Sequence, residues 1–559
     1  MRIGRIGLVG LATLVAACGD EKEPAKFRVG GTVTGLSGSL TLQLNGQQSL
    51  TRDADGPFSF ESPLADKSDY AVTVATQPPE QDCAVEGGTG KVAGAEVNSV
   101  QVRCAAKTYT LGGTVEGLDG TLELRLGGEV LRLTAGGPFT FSTKLPKGGA
   151  YAVSVATQPQ SQRCSVSNGS GTVAGNVEGI SVRCTYWYTL DTFQAAKVAI
   201  GQADFISDAP NREATPEANT LSGPFGNPVL IGGRLYVSDT GNHRILGFNG
   251  VPAANNAAAG FVLGQPDFVT TTAGAGQAGI GSPEGLSSDG TRLAAADPDN
   301  SRVLLYGTLP MSTGAQPALV IGQSGFDSTP SINCDQKTLR GPEDVFIGHG
   351  KMLVADSAHH RVLVWNTIPT TSGAPADLVL GQGSFTTCVE NDADGNGVRD
   401  TTPSDSTLWG PTGVWTDGTR VVVADFTNNR VLLWNSFPTR NGQPADVVLG
   451  QTGFTSRATA TSATGMSAPY FIAATGLQLF VVDNQNNRVL GWNQFPTTNG
   501  APADFVLGQA NLTTARQVDP DTVLPSARSL FRPSGLLLAW PHVVVSDAND
   551  NRLLVFESR

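Results

Sequence analysis

The chain has 559 residues, 68 of them Gly and 33 Pro, with 15% charged side chains. That mixture excludes a helical bundle or a disordered polyelectrolyte and suits short strands joined by many turns. A net charge of −12 repels phosphate backbones and anionic headgroups and excludes a nucleic-acid partner. Such a length is too great for one core and enough for several domains.

At the N-terminus, Arg2 and Arg5 flank and precede an apolar stretch over 6–15. It is too short to span a bilayer permanently and has the layout of an export signal. Val15-Ala16-Ala17-Cys18 resembles the lipobox of bacterial lipoproteins. The resemblance implies removal of a signal peptide over 1–17, lipidation of Cys18 and a short tether over 18–26. An ordinary signal peptide with an incidental cysteine is the alternative. Each buried methylene contributes about 0.8 kcal/mol, so several acyl chains would anchor the chain firmly. Gly19, not Asp, follows the cysteine, which points to the outer membrane or cell surface of the bacterial envelope.

Two tandem repeats come next, expected as β-sandwich modules over 27–105 and 106–186. The first opens FRVGGTVTGLSGSLTLQLNG (27–46), the second YTLGGTVEGLDGTLELRLGG (109–128). Alternating Thr, Leu and Val with polar residues predicts strands with one buried face. Glycine-rich breaks recur at the spacing of a small sandwich. These repeats resemble immunoglobulin-like stalk modules of bacterial surface proteins. Cys83/Cys104 and Cys164/Cys184 hold equivalent places in them. Setting Cys18 aside, six of the seven cysteines remain, and repeat symmetry leaves Cys334/Cys388 as the third disulfide of an exported protein.

Over 187–559 one phrase returns six times: a hydrophobic run, Asp-x-x-x-x-Arg, then another hydrophobic run. The pairs are Asp239/Arg244, Asp297/Arg302, Asp356/Arg361, Asp425/Arg430, Asp483/Arg488 and Asp547/Arg552. Each unit also carries a Pro-led strand, such as PEGLSSDG (283–290), and a strand ending in Gly-Gln, such as FVLGQPDF (261–268). Four strands per unit, repeated six times, predict a six-bladed β-propeller. A lone fourth strand over 197–202 would complete the last blade and remove its exposed edge. The fold class is therefore all-β throughout. Phrases such as DTGNHRILGF and DSAHHRVLVW resemble the NHL repeat, although Arg holds the third position in all six copies. That resemblance implies a propeller and leaves function open, because such propellers serve as binding platforms, scaffolds and occasionally enzymes.

Six copies of Asp/Arg read as turn and inter-blade structure. The loops from third to fourth strand are nearly uniform, as in NTIPTTSGAPAD (366–377), NSFPTRNGQPAD (435–446) and NQFPTTNGAPAD (493–504). The loops from the Gly-Gln strand to the next Pro-led strand vary in length and content. Such variable loops on a rigid ring are where recognition lies. One of them reads NDADGNGVRD (391–400). Asp392, Asp394, Asn396 and Asp400 match the start of a calcium loop, with Pro403 where an acid should close it and Asp405 as a substitute; an ion-free acidic turn is the alternative. Glu284, Glu343 and Asp344 are expected at the channel mouth, where metal binding or acid-base work is open to them. His359 and His360 read as exposed, Trp365, Trp434 and Trp492 as packing between blades, and Trp409 as an exposed contact. No nucleophile elbow, phosphate loop or histidine pair with metal spacing occurs. The expected function is a lipid-anchored extracytoplasmic binding or scaffold protein that takes a protein or glycan partner. The alternatives are a metal-dependent hydrolase or lyase at the channel mouth and a purely structural envelope component.

Overall fold

The computed structural model describes residues 23–328 and 332–559. The signal segment and Cys18 lie outside the described residues. The chain divides into two compact units, Met1–Cys184 and Thr185–Arg559. Among the described residues no helix is long and apolar enough to cross a membrane.

The first unit holds two sandwiches of the same topology. In the first, Gly56–Ser59, Val29–Thr34, Val97–Ala106 and Gln81–Glu86 form one sheet, and Gln48–Arg52, Leu40–Leu44, Asp69–Thr76 and Thr89–Lys91 the other. Leu40, Leu42 and Leu44 alternate with partly exposed residues and face a core with Val29, Val33, Phe58, Phe60 and Val102. The second sandwich repeats this with Leu122, Leu124, Leu126, Phe139 and Phe141. Period-two patterning thus sets which face of each strand is buried. Cys83 lies directly opposite Cys104 on neighbouring antiparallel strands, and the two form a disulfide, as do Cys164 and Cys184.

In the second unit, the described residues form six four-stranded antiparallel sheets. Their inner, Pro-led strands touch their neighbours around a closed ring, which makes a β-propeller. Blade 1 runs Val229–Ile231, Arg234–Asp239, Arg244–Phe248 and Phe261–Leu263 from axis to rim. Blade 6 is built from Pro533–Ala539, His542–Asp547 and Arg552–Glu557, and its outer strand is Val198–Ile200. Val198 pairs with Val555 and Ile200 with Leu553. The expected closure is present, and the edge of blade 6 is paired where it would otherwise template aggregation.

Blades stack through apolar layers. Leu353, Val364 and Leu380 of blade 3 pack with Val414, Val423 and Trp434 of blade 4. The recurring third-strand aromatics are buried here, as expected. Trp365, Trp434 and Trp492 each donate from Nε1 to a carbonyl of the loop joining third to fourth strand, Ala374, Gln443 and Ala501, at 3.2, 2.9 and 3.1 Å.

The inner strands approach so closely that some positions admit no side chain. A Cβ on Gly285 would collide with Asp344 of the next blade, and one on Gly535 with the Gly226 carbonyl. This is why the Pro-led strands of blades 2, 4 and 6 read Pro-x-Gly. Hydrogen bonds carry the contact round the ring. Leu286 N–H donates to Asn227 O at 3.3 Å and Gly285 N–H to Glu343 O at 3.0 Å. Val414 N–H donates to Asp344 Oδ2 at 2.9 Å, and Thr412 Oγ1 to Tyr470 O at 2.7 Å. Asn484 Nδ2 donates to Pro533 O at 2.9 Å and Ser534 Oγ to Pro224 O at 3.0 Å. They surround an open axial pocket of about 190 Å3 lined by Val229, Leu286, Val345, Val414, Ile472 and Leu536.

Candidate functional site at the upper mouth of the propeller

The face that carries the Asp/Arg turns is called upper here. Every Asp/Arg pair is fully buried. Each Arg Nε meets its Asp Oδ2 at 2.6–2.9 Å. The other carboxylate oxygen accepts an N–H from the loop entering the same blade, for example Ser222 at 2.7 Å, Trp409 at 2.7 Å and Phe531 at 2.6 Å. Arginine Nη atoms donate to carbonyls of the loops on either side, as Arg430 does to Ser404, Thr407 and Phe454. Burial pushes the carboxyls of Asp239, Asp425, Asp483 and Asp547 up, against the pull of their arginines. The residue before each Arg is left-handed, with φ of 51–55°. In all six blades the buried Gln of the Gly-Gln strand caps its carbonyl or that of the residue before it. These six clusters are anchors that root the variable loops.

The anchor has one variable member. Asn242, Asn300, Asn428 and Asn486 each donate Nδ2 to the anchoring Asp Oδ2 at 2.8 Å. In blade 3 the member is His359, whose Nδ1 lies 3.0 Å from Asp356 Oδ2. The expected exposure of His359 is corrected: it is buried, because it replaces an anchoring asparagine. In blade 6 the member is Asp550. Arg552 Nη2 bonds it at 3.0 Å, and burial together with the Asp547 charge pushes its carboxyl up to about 8.

The loop over 391–400 closes on itself. Asp392 accepts the Asn396 and Gly397 N–H groups at 3.1 and 2.9 Å, Asp394 accepts Asn396 Nδ2 at 2.9 Å, and Asp400 accepts the Ala393 N–H at 2.9 Å. Its oxygens face backbone donors, and among the described residues no three His, Cys, Asp or Glu side chains gather as a metal site requires. The Cys334–Cys388 disulfide ties the root of this loop to the preceding inter-blade loop. Trp409 is half-buried, not freely exposed. Arg399 and Arg457 flank its ring at 5.0 and 5.2 Å.

At the axis, the structure separates the three expected channel residues. Asp344 is buried, and its carboxylate accepts the Val345 and Val414 N–H groups, each at 2.9 Å. It stitches blade 3 to blade 4, with both carboxylate oxygens taken up by those two N–H groups. Glu284 and Glu343 do come together, from adjacent blades. Both are half-buried, and the Oε2 of each is enclosed and has no hydrogen-bond partner. Burial, and then the Glu343 charge, raises Glu284 well above the usual carboxylate range. Burial pushes Glu343 up to about 7. Both groups are therefore biased towards the protonated form.

Sequence reasoning missed the third member. Tyr470 stands on the inner strand of blade 5, across the ring from blade 2, and its hydroxyl lies against both carboxyls. Burial and those two acids hold it protonated. Phe225 and Phe426 pack edge-on against its ring at 6.1 and 5.5 Å. The signal was present, since Tyr470 follows Pro469 as Glu284 follows Pro283 and Glu343 follows Pro342. Only closure of the ring brings them within reach.

No protein-family model matches the chain, and no curated protein does. Among solved structures, the chain is similar to the PQQ-bound aldose sugar dehydrogenase of Streptomyces coelicolor, with 15% identity, 62% of this chain and 97% of that chain covered, and a TM-score of 0.35. It is similar to the computationally designed Ika8 protein, at 12% identity, with 80% and 98% covered and a TM-score of 0.29. The WD40 β-propeller domain of Doa1 is a third, at 11% identity, with 62% and 98% covered and a TM-score of 0.32. At these values the likenesses carry no functional argument, and the fold stands on strand order and closure.

Proposed function

We propose that the chain is an extracytoplasmic binding protein, lipid-anchored through Cys18 to the bacterial envelope, that engages a protein partner with the upper face of its propeller. The sandwiches serve as a stalk, and the repeats are divergent relatives of the NHL repeat. Three disulfides support an oxidising compartment.

One observation carries the reading. Ile206, Val269, Ile332, Val398, Val523 and Leu524 are each more than half exposed, and all lie on variable upper loops, spread over five of the six inter-blade connections. Met311 is the one comparable exposed residue on the lower side among the described residues of the propeller. Single exposed apolar side chains are ordinary on any surface, but their concentration on one face is a feature of interaction sites. Trp409 between two arginines adds the residue types enriched at binding hot spots. An apolar crown with aromatic and guanidinium anchors suits a protein better than a glycan.

The test compares faces. The immobilised full chain is used to capture partners from envelope extract, and variants Val269→Glu with Val398→Glu are compared with the lower-face control Met311→Glu. Loss of captured protein in the upper pair alone is expected. Capture equal in all three would overturn the assignment of the face, and capture of glycan without protein would overturn the partner class. Labelled palmitate is expected in the wild type and absent from Cys18→Ser; label that persists in the variant refutes the anchor.

A further inference from the structure

We propose that Glu284, Glu343 and the rings of Tyr470, Phe225 and Phe426 form a receptor for a primary ammonium group at the centre of the upper face. This rests on the reading of that face as the binding face and names the chemistry of its centre.

The carboxyl groups state the need. Each has an enclosed oxygen with no donor, and a buried acceptor without a donor is costly. The neighbours do not relieve it. The strongest influences on Glu284 after burial are Glu343, Asp299 and Asp344, all acids, and the Tyr470 hydroxyl. Glu343 is met by Tyr470 and Ser357. None of these is a cation.

The surroundings select the cation. A hard divalent ion takes six to eight oxygens, whereas here two carboxyls and a protonated tyrosine stand beside the rings of Phe225 and Phe426. Aromatic faces attract an organic cation through their quadrupole. Guanidinium prefers one carboxylate held by two parallel bonds. The two free oxygens here belong to different strands, which suits a compact ammonium whose three donors diverge. Tyr470 crosses the axis and must yield or share its contacts when the group enters. Because burial pushes both acids up, Glu343 to about 7, an entering ammonium expels a proton. Binding then strengthens as pH rises through about 7, and the linked proton release fades above that range. The ammonium belongs to a lysine or N-terminus of the partner or to a free amine.

Isothermal titration of the full chain with n-butylammonium distinguishes these, with n-butanol and Ca2+ as controls, in two buffers of different ionisation enthalpy. Butylammonium is expected to bind, with release of about one proton per ligand below neutrality, and neither control is expected to bind. Glu343→Gln should weaken binding by about tenfold or more and abolish proton release; Phe426→Ala should weaken it less and leave proton release intact. A lysyl peptide and its Nε-acetyl form separate the sources. Preference for the peptide over butylammonium points to a partner's side chain, and the reverse points to a free amine. No binding of either cation, equal binding by Glu343→Gln, or tight Ca2+ binding overturns the proposal. Partner capture that persists in Glu284→Gln with Glu343→Gln, alongside lost ammonium binding, leaves the binding face standing and removes only its cationic centre.

Discussion

The two faces of the propeller are made from the same six blades and follow opposite rules. The lower loops, which join third to fourth strands, do one job three times over in blades 3, 4 and 5. Gly373, Gly442 and Gly500 place their N–H groups on the outer strand of the preceding blade at 3.0, 2.9 and 2.8 Å, and the same loops receive the indole of their own blade. Repetition of the contact requires repetition of the sequence. Upper loops share only their roots, held by Asp, Arg and Gln, while their tips make no common contact and are free to differ. Variation is therefore allowed where the fold has already been secured a few residues away.

The comparison can be broken at its strongest point first. Arg430→Ala leaves Asp425 buried and uncompensated, and a cost of about 3–5 kcal/mol is expected, measured by denaturant unfolding. A cost no larger than that of a surface substitution would mean that the upper roots are not anchors. Trp434→Ala removes the matching lower contact, with about 3 kcal/mol expected from the cavity and the lost donor. Replacement of Cys334 and Cys388 by Ser frees one upper loop, with about 2 kcal/mol expected. Increased proteolysis should then be confined to 386–410, and cleavage spread over all blades would contradict local tethering.

Blade 6 sharpens the comparison, because Asp550 stands where four blades have Asn. Its carboxyl is held at about 8 in the fold, against about 3.9 in an unfolded chain. A raised folded value means stability that is complete below about pH 4 and is lost as pH rises to about 8. Asp550→Asn supplies the donor at every pH. The variant should melt higher than wild type at pH 8, with the gap closing towards pH 4. A gap of equal size at both pH values would show that Asp550 stays charged beside Asp547 and Arg552. The smallest effect belongs to the tips: Val269→Ser should change stability by no more than about 0.5 kcal/mol, while it affects partner capture.

Much of this was legible in the chain. Buried strand faces, the blade unit, the closing strand and the cysteine pairs all follow from repeats, because each is a short-range pattern or an equivalence between copies. Residues that depart from a repeat were harder to read. His359 looked like a surface turn residue, since nothing local shows that its position is an anchor. Asp344 and Glu343 are neighbours in sequence, yet one stitches blades through its carboxylate while the other meets Glu284 and Tyr470, because successive strand residues point to opposite sides and a bulge at Pro342 shifts the register.

What the sequence by itself determined is the kind of object this is: hydrophobic periodicity, turn chemistry and a repeated four-strand phrase specify sandwiches and a closed propeller from local physics. The tertiary structure alone decided where its chemistry sits. Glu284, Glu343 and Tyr470 are separated by 59 and 127 residues of chain, and only ring closure places their side chains at one mouth. There the surrounding protein, absent from any local segment, withholds water from two carboxyl groups and makes them want a proton or a cation.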